Sequence, residues 1–138
     1  MKHRKIILSF FIVNSIFYFD ANAEWTLISK TTEGSAFANL KTVRNQHGLK
    51  VIQTLFNSTD VSYLENPKEA YKSFYAVQVI DCKANEHASM SIKYFSEKNG
   101  QGAVVAEHED KELLHAEFIA IRANKPLAKL RDLVCKKN

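Results

Sequence analysis

SFYAVQVIDCK, residues 73–83, has the strongest β-strand pattern in this chain of 138 residues. Aromatic and β-branched residues are enriched in strands, and successive side chains of a strand point to opposite faces of the sheet. One face carries Phe74, Ala76, Gln78, Ile80 and Cys82, and the other carries Tyr75, Val77, Val79 and Asp81. We therefore predict a central strand that ends near Cys82.

Similar short stretches lie on both sides of this strand. Residues 45–48, Asn-Gln-His-Gly, are typical of a tight turn because Asn and Gly tolerate a left-handed backbone, so residues 37–56 are predicted to form a hairpin. The predicted strands are 25–31, 37–44, 49–56, 73–83, 88–96, 103–106 and 116–121. The predicted connections are a polar stretch at 57–68, a turn at 99–102 and an acidic loop at 107–112 around His108. The expected fold class is mainly β, an antiparallel sheet of about six strands.

The end of the chain changes from strand periodicity to helix periodicity. Pro126 suits the first position of a helix, and Asn124 stands just upstream as a candidate cap. One apolar stripe at helical spacing collects Leu127, Leu130 and Val134. Lys136 and Lys137 are expected in the last turn, where positive charge complements the helix dipole. We predict a short C-terminal helix that packs on the sheet.

Residues 1–23 have the pattern of a cleavable export signal. Their basic start consists of Lys2, Arg4 and Lys5. An apolar stretch from Ile6 to Phe19 follows, and Ala21-Asn22-Ala23 supplies the small residues that signal peptidase requires. A membrane-spanning helix needs about 20 apolar residues, so we predict a signal peptide at 1–23 and one mature domain at 24–138.

The predicted compartment is the bacterial periplasm or the outside of the cell. No second hydrophobic span follows the signal, so no transmembrane segment is expected in the mature chain. No cysteine lies near the predicted cleavage site to carry a lipid anchor. Attachment to the cell surface is therefore not predicted.

Cys82 and Cys135 are the only cysteines in the chain. Two cysteines in one small exported domain favour a disulfide. They stand 53 positions apart, unlike the close Cys-x-x-Cys spacing of redox pairs, and no histidine is near either one to complete a zinc site. We predict a structural disulfide between the terminal helix and the central strand, with a redox pair and a two-thiolate metal site as alternatives.

Charge and motifs favour neither nucleic-acid binding nor catalysis. The net charge is +4, of which the signal carries +2. In the mature chain the only tight basic group is Lys136-Lys137, whereas nucleic-acid binders cluster charge on one face. The histidines form no short-spaced pairs of the kind that bind zinc, no G-x-S-x-G motif occurs, and the four glycines form no phosphate loop. We expect no catalytic, metal or cofactor site; spatially paired carboxylates would still allow an enzyme.

Exposed aromatic residues are the better candidates for function. Tyrosine and tryptophan are common anchors in protein interfaces. Tyr63 and Tyr71 lie in or beside the polar connection, so they are the predicted contact residues. Tyr75 and Tyr94 are expected to pack on the sheet with their hydroxyl groups at its edge.

With these positions in order, the chain resembles the bacterial surface-adhesin protein E family. The shared features are Trp25 just after the signal, a serine-led strand ending in Asp-Cys (residues 73–82), Tyr94 on the next strand, a turn with Gly102, and Cys135 near the end. The resemblance implies a small antiparallel sheet with a C-terminal helix held by one disulfide between Cys82 and Cys135. Phe37-Ala38-Asn39 departs from the Tyr-x-Asp expected there, and the lipoprotein cysteine of the founding type is missing.

The resemblance also implies a function. The family is named for a member that binds host extracellular-matrix proteins and vitronectin, so we expect a non-enzymatic envelope module that binds a protein partner through its sheet face and loops. The alternative is a periplasmic inhibitor or accessory protein of an envelope hydrolase such as lysozyme.

Overall fold

Seven β-strands and one α-helix make up the part of the chain that the computed structural model describes, which is residues 24–65, 67–109 and 117–136. The predicted signal peptide lies outside these residues. The strands are β1 (Thr26–Lys30), β2 (Gly34–Gln46), β3 (Leu49–Tyr63), β4 (Ala70–Asp81), β5 (Glu86–Phe95), β6 (Val104–Glu109) and β7 (Ile119–Ala120); the helix is α1 (Pro126–Val134). A single 3₁₀ turn spans Lys98–Gly100.

The strands form one antiparallel sheet in the order β1-β2-β3-β4-β5-β6. From β1 to β6, each strand pairs with the next one in the chain, which short turns allow. The predicted turn between β2 and β3 is confirmed, with His47 and Gly48 at φ 51° and 77°. Strand β7 pairs with the start of β5, where Ile119 is opposite His87. Strand β4 lies between β3 and β5, as expected of a central strand.

Strand β3 is longer than predicted, and the prediction of a polar connection over 57–68 is wrong for its first half. The register against β4 shifts between Asn57 and Ser62, after which pairing resumes and continues to Tyr63. Backbone groups pair regardless of side-chain polarity, so polar residues can extend a strand where their side chains face solvent. The connection that remains is closed by a hydrogen bond from the Leu64 N–H to the Glu69 carbonyl at 2.9 Å.

The predicted acidic loop also begins as a strand. Glu107, His108 and Glu109 belong to β6, and the Glu107 carboxylate lies 3.7 Å from Lys93 Nζ on β5. Cross-strand pairs of opposite charge favour such pairing. The later part of this loop, residues 110–112, lies outside the described residues, and the strand predicted at 116–121 is observed only as β7.

Helix α1 begins at Pro126 as predicted, but its ends differ from the expectation. Asn124 does not cap it: Asn124 has φ 63°, and Lys125 occupies the N-cap position without a side-chain hydrogen bond to the helix. The helix ends at Val134, so Lys136 lies beyond it and Arg131 is the basic residue of the last turn. The proline therefore sets the start of the helix through its restricted φ and missing N–H.

The hydrophobic core lies between α1 and one face of the sheet. It contains Ala38, Ile52, Ile80, Ile121, Ala128, Leu130 and Val134. The predicted disulfide is present: Cys82 at the end of β4 is bonded to Cys135 at the end of α1, with a Cα–Cα distance of 5.7 Å. Arg131 Nη1 also donates a 2.6 Å hydrogen bond to Asn85 Oδ1 in the β4–β5 turn. One covalent and one polar contact thus attach the last turn of the helix to the same end of the sheet.

No helix within the described ranges is long and apolar enough to cross a membrane.

Candidate functional site

The face of the sheet that carries α1 is only partly covered by it. Ile80 and Ala76 of β4 are buried on this face, whereas Phe74, nearer the start of the same strand, is half-buried. Four half-buried aromatic side chains lie together at this end; we call them the aromatic surface. They are Phe56, Tyr71, Phe74 and Tyr94.

The rings of the aromatic surface contact one another across three strands. The ring centroids of Phe56 and Phe74 are 5.2 Å apart in a stacked arrangement. Tyr94 lies 5.5 Å from Phe74 and 4.8 Å from Tyr71. Such separations are within the range of favourable aromatic pairs, so the four rings form one continuous patch.

Strand register creates this patch. Phe56 is directly opposite Phe74, and Phe74 is opposite Tyr94, so one row across β3, β4 and β5 carries three rings. Gly34 on β2 leaves room beside the row, because a Cβ at that position would collide with the Phe56 ring and the Asn57 carbonyl oxygen. Glycine therefore permits the close approach of β2 to the aromatic row.

A hydrogen-bonded loop packs at the same end of the sheet, on the face opposite the rings. Ser73 and Asn57, which hold it, are the strand neighbours of Phe74 and Phe56 and therefore point the other way. Ser73 is fully buried, and its hydroxyl donates to the Glu97 carbonyl at 2.6 Å and accepts from the Gly100 N–H at 3.0 Å. The Asn57 side chain donates to Asn99 Oδ1 at 2.7 Å and accepts from the Asn99 N–H at 2.8 Å. The β5–β6 loop is thus held against β3 and β4 on the face opposite the rings.

The two tyrosines that we predicted as contact residues have different surroundings. Tyr71 belongs to the aromatic surface. Tyr63 has 56% of its surface exposed and lies under Lys68, whose Nζ is 5.1 Å from the ring centroid. Ser62 is paired with Tyr71 and Tyr63 with Ala70, so Tyr63 lies one position closer to the β3–β4 connection.

Sequence reasoning missed most of the aromatic surface. Phe56 and Phe74 were expected only as strand residues, and Tyr94 as a residue packed on the sheet. The alternating patterns of residues 49–56 and 73–83 contained the signal, since they place an aromatic ring at the end of one face of each strand. The sequence pattern does not give the strand register, and it is the register that aligns these ends.

Burial changes the acidity of two tyrosines. Desolvation raises the pKa of Tyr94, and a smaller contribution comes from the charge of the neighbouring Tyr71. On the opposite face, desolvation raises the pKa of Tyr75 to about 12, and the Trp25 ring packs edge-on against it at 6.3 Å. Both hydroxyl groups therefore stay neutral at physiological pH and serve as hydrogen-bonding groups rather than as charges.

An apolar groove adjoins the aromatic surface. It has a volume of about 240 Å³ and lies between the first turns of α1 and the sheet. Its walls include Ile28, Ala36, Phe56, Phe74, Leu127 and Leu130. Phe56 and Phe74 thus belong to both features, so the groove opens onto the aromatic surface.

Asp81 and Cys82, at the end of β4, both have structural partners. Asp81 Oδ1 accepts hydrogen bonds from the backbone N–H groups of Lys83 and Ala84 at 3.1 and 3.0 Å, which stabilises the turn after β4. Cys82 is held in the disulfide. In the part of the chain that the structure describes, no group of three or more His, Cys, Asp or Glu side chains is placed to hold a metal ion.

Comparison with solved structures shows the same fold in protein E of Haemophilus influenzae. One crystal form of that protein is 12% identical over 84% of this chain and 90% of that chain, with a TM-score of 0.58. A structure of protein E from non-typeable Haemophilus influenzae is also 12% identical, over 85% of this chain and 78% of that chain, with a TM-score of 0.55. A comparison with curated protein sequences found no match.

The family profile described as surface-adhesin protein E matches residues 25–136, which is most of the chain. The match runs from Trp25 through Cys82 and Cys135, the positions on which the resemblance was based. The chain therefore belongs to the surface-adhesin protein E family.

Proposed function

We propose that this protein is an exported, non-enzymatic module of the bacterial envelope that binds a protein partner through the aromatic surface. Four half-buried rings on the uncovered part of the sheet carry the proposal. Aromatic side chains dominate the energetics of protein interfaces, and their rigid rings lose little conformational entropy on binding. Membership of an adhesin family supports the same function.

The proposed partner is a host extracellular-matrix protein or vitronectin. The four rings form one patch across three strands on an open sheet face, which suits the extended surface of a protein partner better than a small molecule. Contacts between neighbouring rings fix their positions before binding. Preorganisation of this kind reduces the entropy lost on association.

Binding to immobilised vitronectin and to extracellular-matrix proteins at physiological salt tests the proposal. The full chain is exported to the periplasm and purified with its disulfide intact. Tyr71→Ala and Tyr94→Ala are each expected to weaken binding by about tenfold or more, as hot-spot residues do. Tyr71→Phe keeps the ring and is expected to retain most of the affinity.

Leu133→Ala provides the matched control, because Leu133 is an exposed apolar residue of α1 outside the groove lining. It is expected to bind as the unmodified protein does. Tyr63→Ala is expected to have a smaller effect than Tyr71→Ala, since Tyr63 does not belong to the aromatic surface. Absence of binding by the unmodified protein, or equal binding by all variants, would contradict the proposal.

The alternative, an inhibitor or accessory protein of an envelope hydrolase such as lysozyme, stays a prediction from the sequence. Lysozyme activity measured with and without an excess of the purified protein tests it. An unchanged rate removes lysozyme as the target.

A further inference from the structure

The groove beneath the start of α1 is lined mainly by apolar side chains. The uncharged polar side chains in its lining form hydrogen bonds with the sheet. Thr54 Oγ1 donates a hydrogen bond to the Ala76 carbonyl at 3.1 Å, and Gln78 Oε1 accepts one from Ser89 Oγ at 3.1 Å. These groups are therefore engaged with other parts of the sheet. Burial of apolar surface is the main gain available to a molecule that enters the groove, so its occupant must have an apolar body.

The mouth of the groove is positively charged. Lys125 is the only ionisable residue among the described residues that line it. The first turn of α1 contains no acidic residue, and the Lys125 side chain makes no capping bond to the helix. Pro126 has no N–H, and the Ala128 N–H bonds the Lys125 carbonyl at 3.0 Å, so it is the helix dipole that adds positive potential of the same sign as the lysine. An anionic group on the occupant matches this charge.

We propose that this groove binds a small carboxylic acid with an aliphatic or aromatic body, whose carboxylate lies at Lys125 and the start of α1. The volume of about 240 Å³ is smaller than the pockets of drug-sized ligands, which limits the body to a medium-length alkyl chain or a single ring. The acid contacts Phe56 and Phe74 from the groove side. It binds without a covalent step.

Octanoate and octan-1-ol are a matched pair of probes, because they share the chain length and differ in charge. Each is titrated into the isotope-labelled full chain, exported and purified with its disulfide, while the backbone amide signals are followed by nuclear magnetic resonance. Octanoate is expected to shift the signals of Ile28, Phe56 and Leu127, and to bind about two- to fivefold more tightly than octanol, as one favourable charge contact at a helix start predicts.

Two variants separate the apolar and the charged contributions. Ala36→Leu fills the groove and is expected to weaken both probes, with an unchanged thermal unfolding curve as the check on folding. Lys125→Gln changes an exposed residue and is expected to weaken octanoate alone, to the level of octanol. Lys129→Gln is the control, since Lys129 is exposed on the same helix but does not line the groove.

Three results would overturn the proposal: octanoate that binds no better than octanol, shifts that fall outside the groove, or octanoate affinity that Lys125→Gln leaves unchanged. Binding of vitronectin or matrix proteins is measured separately. A loss of octanoate binding with retained protein binding therefore concerns the groove alone, and the reverse result concerns the aromatic surface alone.

Discussion

The two ends of one sheet face differ in what stabilises them. At the end where β4 finishes, α1 covers Ile52 and Ile80, and the disulfide attaches the helix to the sheet. At the other end, the aromatic surface is half-buried, and hydrogen bonds from Asn57 and Ser73 hold the β5–β6 loop against the opposite face of the sheet. Covered apolar surface stabilises the fold, whereas uncovered aromatic surface is available for a partner.

The two ends of this face therefore have different roles: one stabilises the fold, and the other is available for a partner. Helix α1 has only nine residues, and an isolated helix of this length is marginal in water. It therefore depends on packing and on the disulfide to stay on the sheet. Because α1 leaves Phe74 and Tyr94 half-buried, this face of the sheet is covered at one end and open at the other.

Removal of the disulfide, which acts at the covered end, should lower the stability of the protein most. Cys135→Ser opens a loop of 53 positions, and loss of the loop-closure constraint should lower the free energy of unfolding by about 4 kcal/mol. Chemical denaturation measures the change. An effect near zero would mean that packing alone holds the helix on the sheet.

Loss of a buried side chain from α1 should have the next largest effect. Leu130 is 3% exposed and packs in the core, so Leu130→Ala should destabilise the protein by about 2–4 kcal/mol. Leu133, which is 40% exposed on the same helix, is the matched control. Leu133→Ala should change the stability by less than about 1 kcal/mol; similar losses for the two variants would show that the helix is not docked as described.

The uncovered end should be less sensitive to substitution. Asn57→Ala removes both hydrogen bonds to Asn99, so it should lower the free energy of unfolding by about 1–2 kcal/mol. It should also raise hydrogen exchange in the β5–β6 loop. Asn45→Ala, at an exposed position near the β2–β3 turn, is the control. A rigid loop in Asn57→Ala would show that Ser73 alone is sufficient to hold it.

Mild acid should lower the stability of the protein least, and it should act at the covered end. Burial lowers the pKa of His87 from 6.5, so the unfolded chain binds a proton more readily than the folded chain does. Stability is therefore fully present above pH 6.5 and falls as the pH drops through and below that value. Denaturation at several pH values should show this slope, and His87→Gln should reduce it. An unchanged slope in the variant would assign the acid effect to other groups.

Much of the fold could be predicted from short stretches of the chain. Period-two alternation identified the central strand ending at Cys82, and the change to helical spacing after Pro126 identified α1. The predicted export signal made a disulfide between Cys82 and Cys135 the preferred interpretation. The ends of the elements were less predictable, as with β3 and the cap of α1, because backbone pairing in β3 and the turn before Pro126 depend on neighbours distant in the chain.

The candidate site depended on tertiary structure to a greater degree. Tyr71 could be proposed from its polar surroundings, but Phe56, Phe74 and Tyr94 acquire their role only when the register of three strands places them in one row. Local composition sets which residues favour a strand, a helix or a disulfide. Rings from separate strands come into contact, and a short helix leaves them uncovered, only through packing between distant segments of the chain. Local preferences do not encode that packing.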